Sequence, residues 1–154
     1  MRKILMILLF FVSVLSVGQK IYRGNSTYSS DIIYTVIDGK VYQGNSSYSN
    51  DIVFSFDGCH IYNKNERYSS SILATWHNNA LYQGNSVYSS EILANWSGNR
   101  LYYKNSSYST EIVFTYSQNR VYQGEYCYSD NILFTTSSYV HPAILFVVYL
   151  NMFY

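Results

Sequence analysis

Residues 21–40 read Ile21-Tyr22-Arg23-Gly24-Asn25-Ser26-Thr27-Tyr28-Ser29-Ser30-Asp31-Ile32-Ile33-Tyr34-Thr35-Val36-Ile37-Asp38-Gly39-Lys40. The same twenty-residue unit recurs without gaps from residues 41, 61, 81, 101 and 121. Positions two and eight of the unit are tyrosine in all six copies, position nine is serine and position twelve is isoleucine. Because such a period marks a repeated structural unit, it decides the fold before any other signal does.

Each unit predicts one β-hairpin that crosses the boundary between repeats. Positions twelve to sixteen, as in Ile52-Val53-Phe54-Ser55-Phe56, are β-branched and aromatic, which is typical of a strand. Pairs such as Asp38-Gly39 follow at positions seventeen to twenty and tolerate the positive φ of a tight turn. Positions one to three, as in Val41-Tyr42-Gln43, form the returning strand, and the polar positions four to ten join one hairpin to the next.

The outgoing strand predicts one packed face. Because side chains alternate along a strand, we expect positions twelve, fourteen and sixteen to point the same way. Where position fourteen shrinks to Ala74 or Ala94, position sixteen grows to Trp76 or Trp96, which indicates compensation of volume in a core. Position fifteen is Thr, Ser or Asn and predicts a more polar face, whereas the apolar position thirteen interrupts the alternation.

The repeat stops after Ser138, and residues 142–154 are apolar nearly all round. Pro142 suits the first turn of a helix, and a helix that is apolar on every side must be buried or in lipid. Six hairpins supply about twelve strands, and a barrel of more than ~8 strands needs something inside it. We therefore predict an all-β fold with one C-terminal helix: six hairpins closing into a shallow barrel around that helix. The alternatives are an open β-hairpin solenoid and, for the tail, an anchor or partner-binding helix.

Residues 1–18 predict a signal peptide. Arg2 and Lys3 precede an apolar run over residues 4–15, and Ser16-Val17-Gly18 matches a small-x-small cleavage site. About twelve apolar residues fall short of the ~20 that span a bilayer, so cleavage is favoured over anchoring. The expected product is an exported protein, periplasmic or secreted and of bacterial origin, with no membrane span in the mature chain. It is a single domain over residues 19–154, with repeats 21–40, 41–60, 61–80, 81–100, 101–120 and 121–140 and a plug helix over 142–154.

Composition argues against a nucleic-acid partner. The formal net charge is +1 and charged residues make up only 12% of the chain, so no basic face is indicated. Nineteen tyrosines with many serines and asparagines favour short strands and polar turns.

The repeats of the form Tyr-x-Gly-Asn-Ser-x-Tyr-Ser-Ser-Asp-Ile, at residues 22–32 and nearly repeated at 42–52 and 82–92, resemble those of the β-flower proteins. That resemblance covers residues 20–154 and implies a shallow symmetric barrel of hairpins around a hydrophobic helix. Its architecture is similar to the tubby C-terminal domain, which binds lipid. The resemblance brings no catalytic or binding residue with it, and no Lys/Arg cluster for a phosphoinositide is evident. A weaker likeness to choline-binding repeats of bacterial surface proteins lacks their Gly-Trp pairs.

Position eleven supplies a candidate acidic ring, with Ser71 and Asn131 in the other two copies. The four carboxylates are Asp31, Asp51, Glu91 and Glu111. A cation site or an acid/base pair would use them, but the favoured interpretation is that they are turn or strand-start capping residues that accept backbone N–H hydrogen bonds. Symmetry spreads them around a ring, whereas catalysis needs two that converge.

Tyrosine at position eight gives candidate ligand-contact residues, because the ring offers a flat apolar face and a hydroxyl group. These residues are Tyr28, Tyr48, Tyr68, Tyr88, Tyr108 and Tyr128. The favoured interpretation for the tyrosines of positions two and eight alike is packing between neighbouring hairpins.

The remaining polar residues predict neither a metal site nor a nucleophile. His60, His77 and His141 lack metal-ligand spacing and are expected at the surface or in turns. Cys59 falls near a hairpin tip and Cys127 in a joining segment, so a disulfide is disfavoured because the two should lie at opposite rims. The serine of position nine has no adjacent base in its repeat.

Three functions remain open, and no cofactor is predicted. The first is an exported, non-catalytic module that binds a glycan, a lipid or an envelope component through its repeated rims. The second is a purely structural envelope protein with no small ligand. The third, an enzyme using the acidic ring, is the weakest, and we expect no enzymatic activity. Exposed tyrosines on one rim would favour the first function, and tyrosines buried between hairpins would favour the second.

Overall fold

The structure is a computed structural model that describes residues 18–154. The predicted signal peptide lies outside the described residues, except for Gly18 at its end. Twelve short strands and one helix follow each other along the chain. They are β1 (Gln19–Arg23), β2 (Ile32–Ile37), β3 (Lys40–Gln43), β4 (Ile52–Phe56), β5 (His60–Asn63), β6 (Ile72–His77), β7 (Ala80–Gln83), β8 (Ile92–Ser97), β9 (Arg100–Tyr103), β10 (Ile112–Ser117), β11 (Arg120–Gln123), β12 (Ile132–Thr136) and α1 (Pro142–Phe153).

The strands form one closed antiparallel barrel in which each strand pairs with its neighbours in sequence. β1 closes the ring by pairing with β12, with Ile21 opposite Thr136 and Arg23 opposite Phe134. The predicted barrel is therefore confirmed, and the open solenoid is not the fold. Five hairpins are continuous in the chain, whereas β12 and β1, from the two ends of the repeat region, form the sixth.

Tight turns join the strands of the continuous hairpins. Asp38 and Gly39 both have positive φ, 49° and 73°, as do Asn78 and Asn79 at 47° and 60°. Two consecutive positive φ values are the signature of the turn that matches the twist of paired strands, as predicted. Gly39 is required for a second reason: a Cβ atom there would lie 2.1 Å from the carbonyl oxygen of Phe56.

A β-bulge at position thirteen assigns the two faces of the barrel. In the third and fourth strands Tyr42 pairs with Ile52 and Val41 with Phe54, which leaves Val53 as the extra residue. The same register shift occurs at the equivalent point of the other five repeats. Directly paired residues share a face, so position twelve lies on the outer face with positions two and fifteen. The prediction that position twelve points the same way as fourteen and sixteen is wrong, because the bulge reverses the alternation.

The lumen is filled by strand side chains and α1. Positions one, fourteen and sixteen face inward and form one core cluster with the helix. The helix buries Pro142, Ala143, Ile144, Leu145, Phe146 and Val148. Trp76 and Trp96 pack against this core beside Ala74 and Ala94, which confirms the compensation of volume. The helix occupies the barrel as predicted, and no helix within residues 18–154 has the length and hydropathy needed to span a bilayer.

Candidate functional site

Six long loops repeat one backbone conformation at one end of the barrel. We define them as residues 24–31, 44–51, 64–71, 84–91, 104–111 and 124–131, and their end of the barrel as the long-loop rim. The opposite end, which carries the tight turns, is the turn rim. The first residue of every loop, which is position four of the repeat, has a positive φ between 49° and 69°. Glycine adopts that conformation freely in four copies, while Lys64 and Lys104 adopt it despite their Cβ atoms.

Each loop is fastened to the hairpin that it leaves. Thr75 Oγ1 donates a hydrogen bond to the carbonyl of Gly84 at 2.7 Å, and the Gly84 amide donates to the carbonyl of Leu73 at 3.0 Å. Thr35, Thr115 and Thr135 make the same side-chain bond in their own hairpins, at 2.7–2.8 Å. These bonds explain the small polar residue at position fifteen. The backbone bond recurs in all six loops, so that they leave the barrel in the same direction.

Within the loop, a serine turn and a short 3₁₀ helix hold the tyrosine of position eight between them. In the first loop the Tyr28 amide donates to Ser26 Oγ at 3.1 Å, and the Tyr28 carbonyl accepts from the Asp31 amide at 3.0 Å. Tyr48, Tyr88 and Tyr108 receive the same serine contact. The bond to the tyrosine carbonyl recurs in all six loops, so the six tyrosines lie at equivalent points of the rim.

The tyrosines of position eight are the most uniformly exposed large side chains of the repeat. Their exposed fractions are 74% for Tyr28, 77% for Tyr48, 72% for Tyr68, 76% for Tyr88, 74% for Tyr108 and 65% for Tyr128. The expectation that they pack between hairpins is wrong. The loop carries them beyond the strands, where no neighbouring hairpin covers the ring.

The tyrosines of position two behave in the opposite way. Tyr42, Tyr62, Tyr82 and Tyr122 are buried on the outer face of the sheet, at 7–8% exposure. Each lies opposite an isoleucine of the next strand; Tyr82, for example, forms a small cluster with Ala80 and Ile92. The packing expectation is confirmed for these four tyrosines, so the two invariant tyrosines of the repeat have different roles.

Two of the four carboxylates of the predicted acidic ring bond within their own loops. Asp31 accepts a hydrogen bond from Ser26 of its own loop, and Asp51 accepts one from Ser46. Ser71, at the same position, donates to the carbonyl of Tyr68 at 2.8 Å, and Asn131 donates to the carbonyl of Tyr126 at 3.2 Å, so this position fastens the loop in four of the six copies. Within residues 18–154 no three His, Cys, Asp or Glu side chains are grouped so that they could hold a metal ion.

The sixth long loop departs from the pattern. Tyr126 replaces the serine of position six, and its ring stacks on Tyr128 with centroids 5.6 Å apart and planes at 19°. Tyr126 is 60% exposed, so the pair forms a two-ring aromatic surface at the rim. Glu125 replaces the asparagine of position five and pairs with Arg100 at 3.3 Å.

Two grooves flank the C-terminal end of α1 at the long-loop rim. One has a volume of 490 Å³ and lies between the helix and strands β9 and β10, lined by Tyr103, Glu111, Val113, Phe146, Tyr149 and Tyr154 among others. The other has a volume of 480 Å³ and is lined by Arg23, Ile33, Tyr34, Leu133, Met152 and Phe153 among others. Burial and the neighbouring Tyr154 raise the pKa of the Tyr149 phenol, so this hydroxyl stays neutral at ordinary pH.

At the turn rim, Asp57 organises the hairpin tip of the second repeat. Its Oδ1 accepts hydrogen bonds from the amides of Cys59 and His60, at 2.9 and 2.6 Å, and its Oδ2 accepts one from the Tyr62 hydroxyl at 2.9 Å. Burial acts to raise the pKa of this carboxyl, but the two amide bonds, the Tyr62 hydroxyl and the charge of His60 together outweigh it, so the pKa is lowered. These hydrogen bonds explain why an aspartate occupies this turn.

His141 is not a surface residue, contrary to expectation. It is half-buried at the start of α1, where its Nδ1 accepts a hydrogen bond from the Ala143 amide at 3.2 Å. The rings of Phe56 and Trp76 lie 4.7 and 5.0 Å from it. Loss of hydration lowers the pKa of its imidazole. His77 is exposed, and Cys59 and Cys127 are exposed free cysteines at opposite rims.

Sequence reasoning found the rim tyrosines and the acidic positions but missed both grooves. The 490 Å³ groove joins residues that lie far apart in the chain, such as Tyr103 and Tyr149. One signal was present: position three is tyrosine only in the fifth repeat, against Arg23, Gln43, Asn63, Gln83 and Gln123 elsewhere.

The barrel of hairpins around a helix agrees with the comparison to known families. The model of the 6-fold beta flower protein family matches residues 17–145. The chain therefore belongs to that family. No curated protein and no solved structure matches it.

Proposed function

We propose that the protein is an exported, non-catalytic binding module that holds a glycan on its long-loop rim. The observation that carries this proposal is the exposure of the six tyrosines of position eight, 65–77% each, at equivalent points of one rim. Large aromatic side chains left exposed along one rim indicate an interaction site, because leaving them in water has a free-energy cost. Tyrosine suits sugars since its ring packs on C–H faces and its hydroxyl bonds to hydroxyls.

The charge of the rim favours a glycan over an anionic lipid surface. The long loops carry seven acidic residues and three basic ones, a net charge of −4. Anionic headgroups are attracted by clusters of Lys and Arg, which these loops lack. Serine, asparagine and carboxylate side chains next to the tyrosines instead supply the hydrogen-bond partners that sugar hydroxyls need.

Two further observations support a role without catalysis. Asp31 and Asp51 are bonded within their own loops, so two of the four carboxylates of the acidic ring already have a structural role. The repeated geometry also gives six similar contact points, which suits a repeating polymer better than a single reacting group. Weak contacts to neighbouring units of one polymer reinforce each other through their high effective concentration.

The test is a glycan array and a panel of lipid vesicles, probed with the chain that starts at Gln19. We expect binding to a glycan, and a loss of about tenfold or more when Tyr48 and Tyr88 are both changed to alanine, because stacking is worth roughly 1 kcal/mol per ring. Tyr139→Ala is the matched control, since Tyr139 is 60% exposed but lies at the turn rim. A loss of binding in the control variant as well would contradict the assignment to the long-loop rim.

A purely structural envelope role is the second candidate. The burial of four of the six position-two tyrosines favours it, because these four have a packing function. Absence of binding on both the array and the vesicles would support this candidate over the first. Export itself rests on residues 1–18, and N-terminal sequencing of the protein from the medium or periplasm should begin at Gln19.

A further inference from the structure

The groove beside Glu111 differs chemically from the rest of the rim. We call it the Glu111 groove; it has a volume of 490 Å³ and lies between the end of α1 and the fifth long loop. Phe146 and Val113 give it an apolar floor, and Tyr103, Tyr149 and Tyr154 add three phenol rings. It therefore joins apolar surface, aromatic faces and one carboxylate in a single concave site, which is the usual composition of a small-molecule site.

The Glu111 carboxylate has no partner among residues 18–154. Glu111 takes part in none of the ion pairs within 4.0 Å among residues 18–154, and its side chain makes no hydrogen bond there. Asp31 and Asp51, at the same position of other loops, are each bonded by a serine. The longer glutamate side chain is exposed and free to meet a ligand.

The aromatic residues that line the groove can attract a cation. The rings of Tyr149 and Tyr154 lie 6.1 Å apart and are tilted by 55°, so they form two walls of a corner. The Lys104 ammonium already lies 5.3 Å from the centre of the Tyr103 ring. Aromatic faces attract cations through their quadrupole, and a nearby carboxylate adds to that attraction.

A tyrosine at position three and a glutamate at position eleven occur together in one repeat only. The fifth repeat alone has tyrosine at position three, and it also has glutamate at position eleven. The 480 Å³ groove on the other side of α1 carries Arg23 and no carboxylate. The fold is sixfold, but this groove breaks the symmetry.

We propose that the Glu111 groove binds a small organic ammonium ion with an apolar substituent. The ammonium lies against Tyr103, Tyr149 and the Glu111 carboxylate, and the substituent packs on Phe146 and Val113. This site is separate from the tyrosines of position eight, which do not line the groove, and it does not depend on glycan binding.

Hexyltrimethylammonium is the probe, compared with 1-hexanol and hexyl sulfate, which share its apolar chain. Titration calorimetry measures affinity, and methyl NMR locates the site. Val113 lines the Glu111 groove and Leu133 lines the other, both at position thirteen, so their methyl signals form a matched pair. We expect the cation to bind with a Kd of about 1 mM or tighter. Val113 should shift and Leu133 should not.

Substitutions taken from sister repeats test the residues without endangering the fold. Tyr103→Gln installs the residue found at position 83, and Glu111→Ser the residue found at position 71. Each should weaken binding of the cation by about threefold to tenfold, since each removes one cation contact. Glu91→Ser makes the same change away from the groove and should leave the affinity unchanged.

Lys104 supplies a test in the opposite direction. Lys104→Gly removes the ammonium that competes for Tyr103 and installs the glycine found at this position in four copies. It should tighten binding by about twofold to fivefold. Lys64→Gly makes the same backbone change in the third loop and should not alter affinity. Equal binding of all three hexyl probes, shifts at Leu133 rather than Val113, or no binding at this concentration would each overturn the proposal.

Discussion

At the scale of single residues, backbone conformation and burial explain which residue types occur at the variable positions of the repeat. Position four needs a left-handed backbone, which glycine provides in four loops and lysine in two. A residue with a Cβ atom pays roughly 1–2 kcal/mol for that conformation. Lys64 and Lys104 therefore mark loops in which some stability is given up.

His141 gives a prediction of pH dependence. Its pKa is lowered in the folded protein by loss of hydration, against about 6.5 in the unfolded chain. The charged form is thus disfavoured by folding. The contribution of His141 to the free energy of unfolding is complete above pH ~6.5. It declines as the pH falls from there to the pKa of the folded state, because the unfolded chain binds the proton more tightly.

His141→Asn keeps a hydrogen-bond acceptor at the start of α1. We expect its free energy of unfolding to fall less than that of the parent protein between about pH 7 and 5. Urea denaturation at a series of pH values measures it. Asp57, whose pKa is lowered, contributes a further loss of folding stability at lower pH in the parent protein and in the variant alike. His77→Asn is the control, since His77 is exposed. An unchanged slope in His141→Asn would contradict this account.

At the scale of elements, the hairpin and its loop form one unit joined by the threonine of position fifteen. This residue faces outward yet is buried, and its hydroxyl satisfies the carbonyl of the left-handed residue. In the second hairpin serine takes its place, and Ser55 Oγ is buried without a hydrogen-bond partner among the described residues. The six loops are thus not held equally well.

Thr75→Val tests this unit. The change keeps the shape of the side chain and leaves the Gly84 carbonyl without its donor, so we expect a loss of about 1 kcal/mol in the free energy of unfolding. Urea denaturation measures it. Thr27→Val is the control, because residue 27 is exposed and the equivalent residue of the fourth loop is already a valine, Val87. A loss of similar size in the control would show that the hydroxyl bond is not the cause.

At the scale of the whole molecule, closure and filling depend on each other. Twelve strands enclose more space than their own side chains fill, and α1 supplies the missing volume. The ends of the repeat region meet in the β1–β12 pair, where Thr135 also donates across the seam to Gly24 at 2.8 Å.

Deleting residues 142–154 should therefore abolish the closed monomer. We expect an associated or loosely packed product that binds a hydrophobic dye, because the inward faces of all the hairpins lose their partner. Size-exclusion chromatography and dye fluorescence measure this. Deleting only residues 153–154, which are 47% and 93% exposed, should leave the monomer intact. Recovery of an equally stable monomer without α1 would refute the role of the helix.

The sequence by itself determined the repeat, the hairpins, their tight turns, the closed barrel and the helix within it. These follow from local chemistry: β-branched runs, residues that accept positive φ, and an apolar tail that must be covered. The same local signals identified the tyrosines of position eight as candidate contacts, since six identical residues at one position of a repeat stand out without any coordinates.

Only the tertiary structure decided which face each position takes and what the tyrosines do. The bulge at position thirteen is a matter of pairing between strands, and it moved Ile52 to the outer face. Tyr42 and Tyr48 are the same residue type, yet one lies beside a neighbouring strand and the other beyond the strand ends. The Glu111 groove likewise exists only where α1 meets the fifth loop. Burial depends on what lies alongside in space, and a repeat pattern carries no information about that.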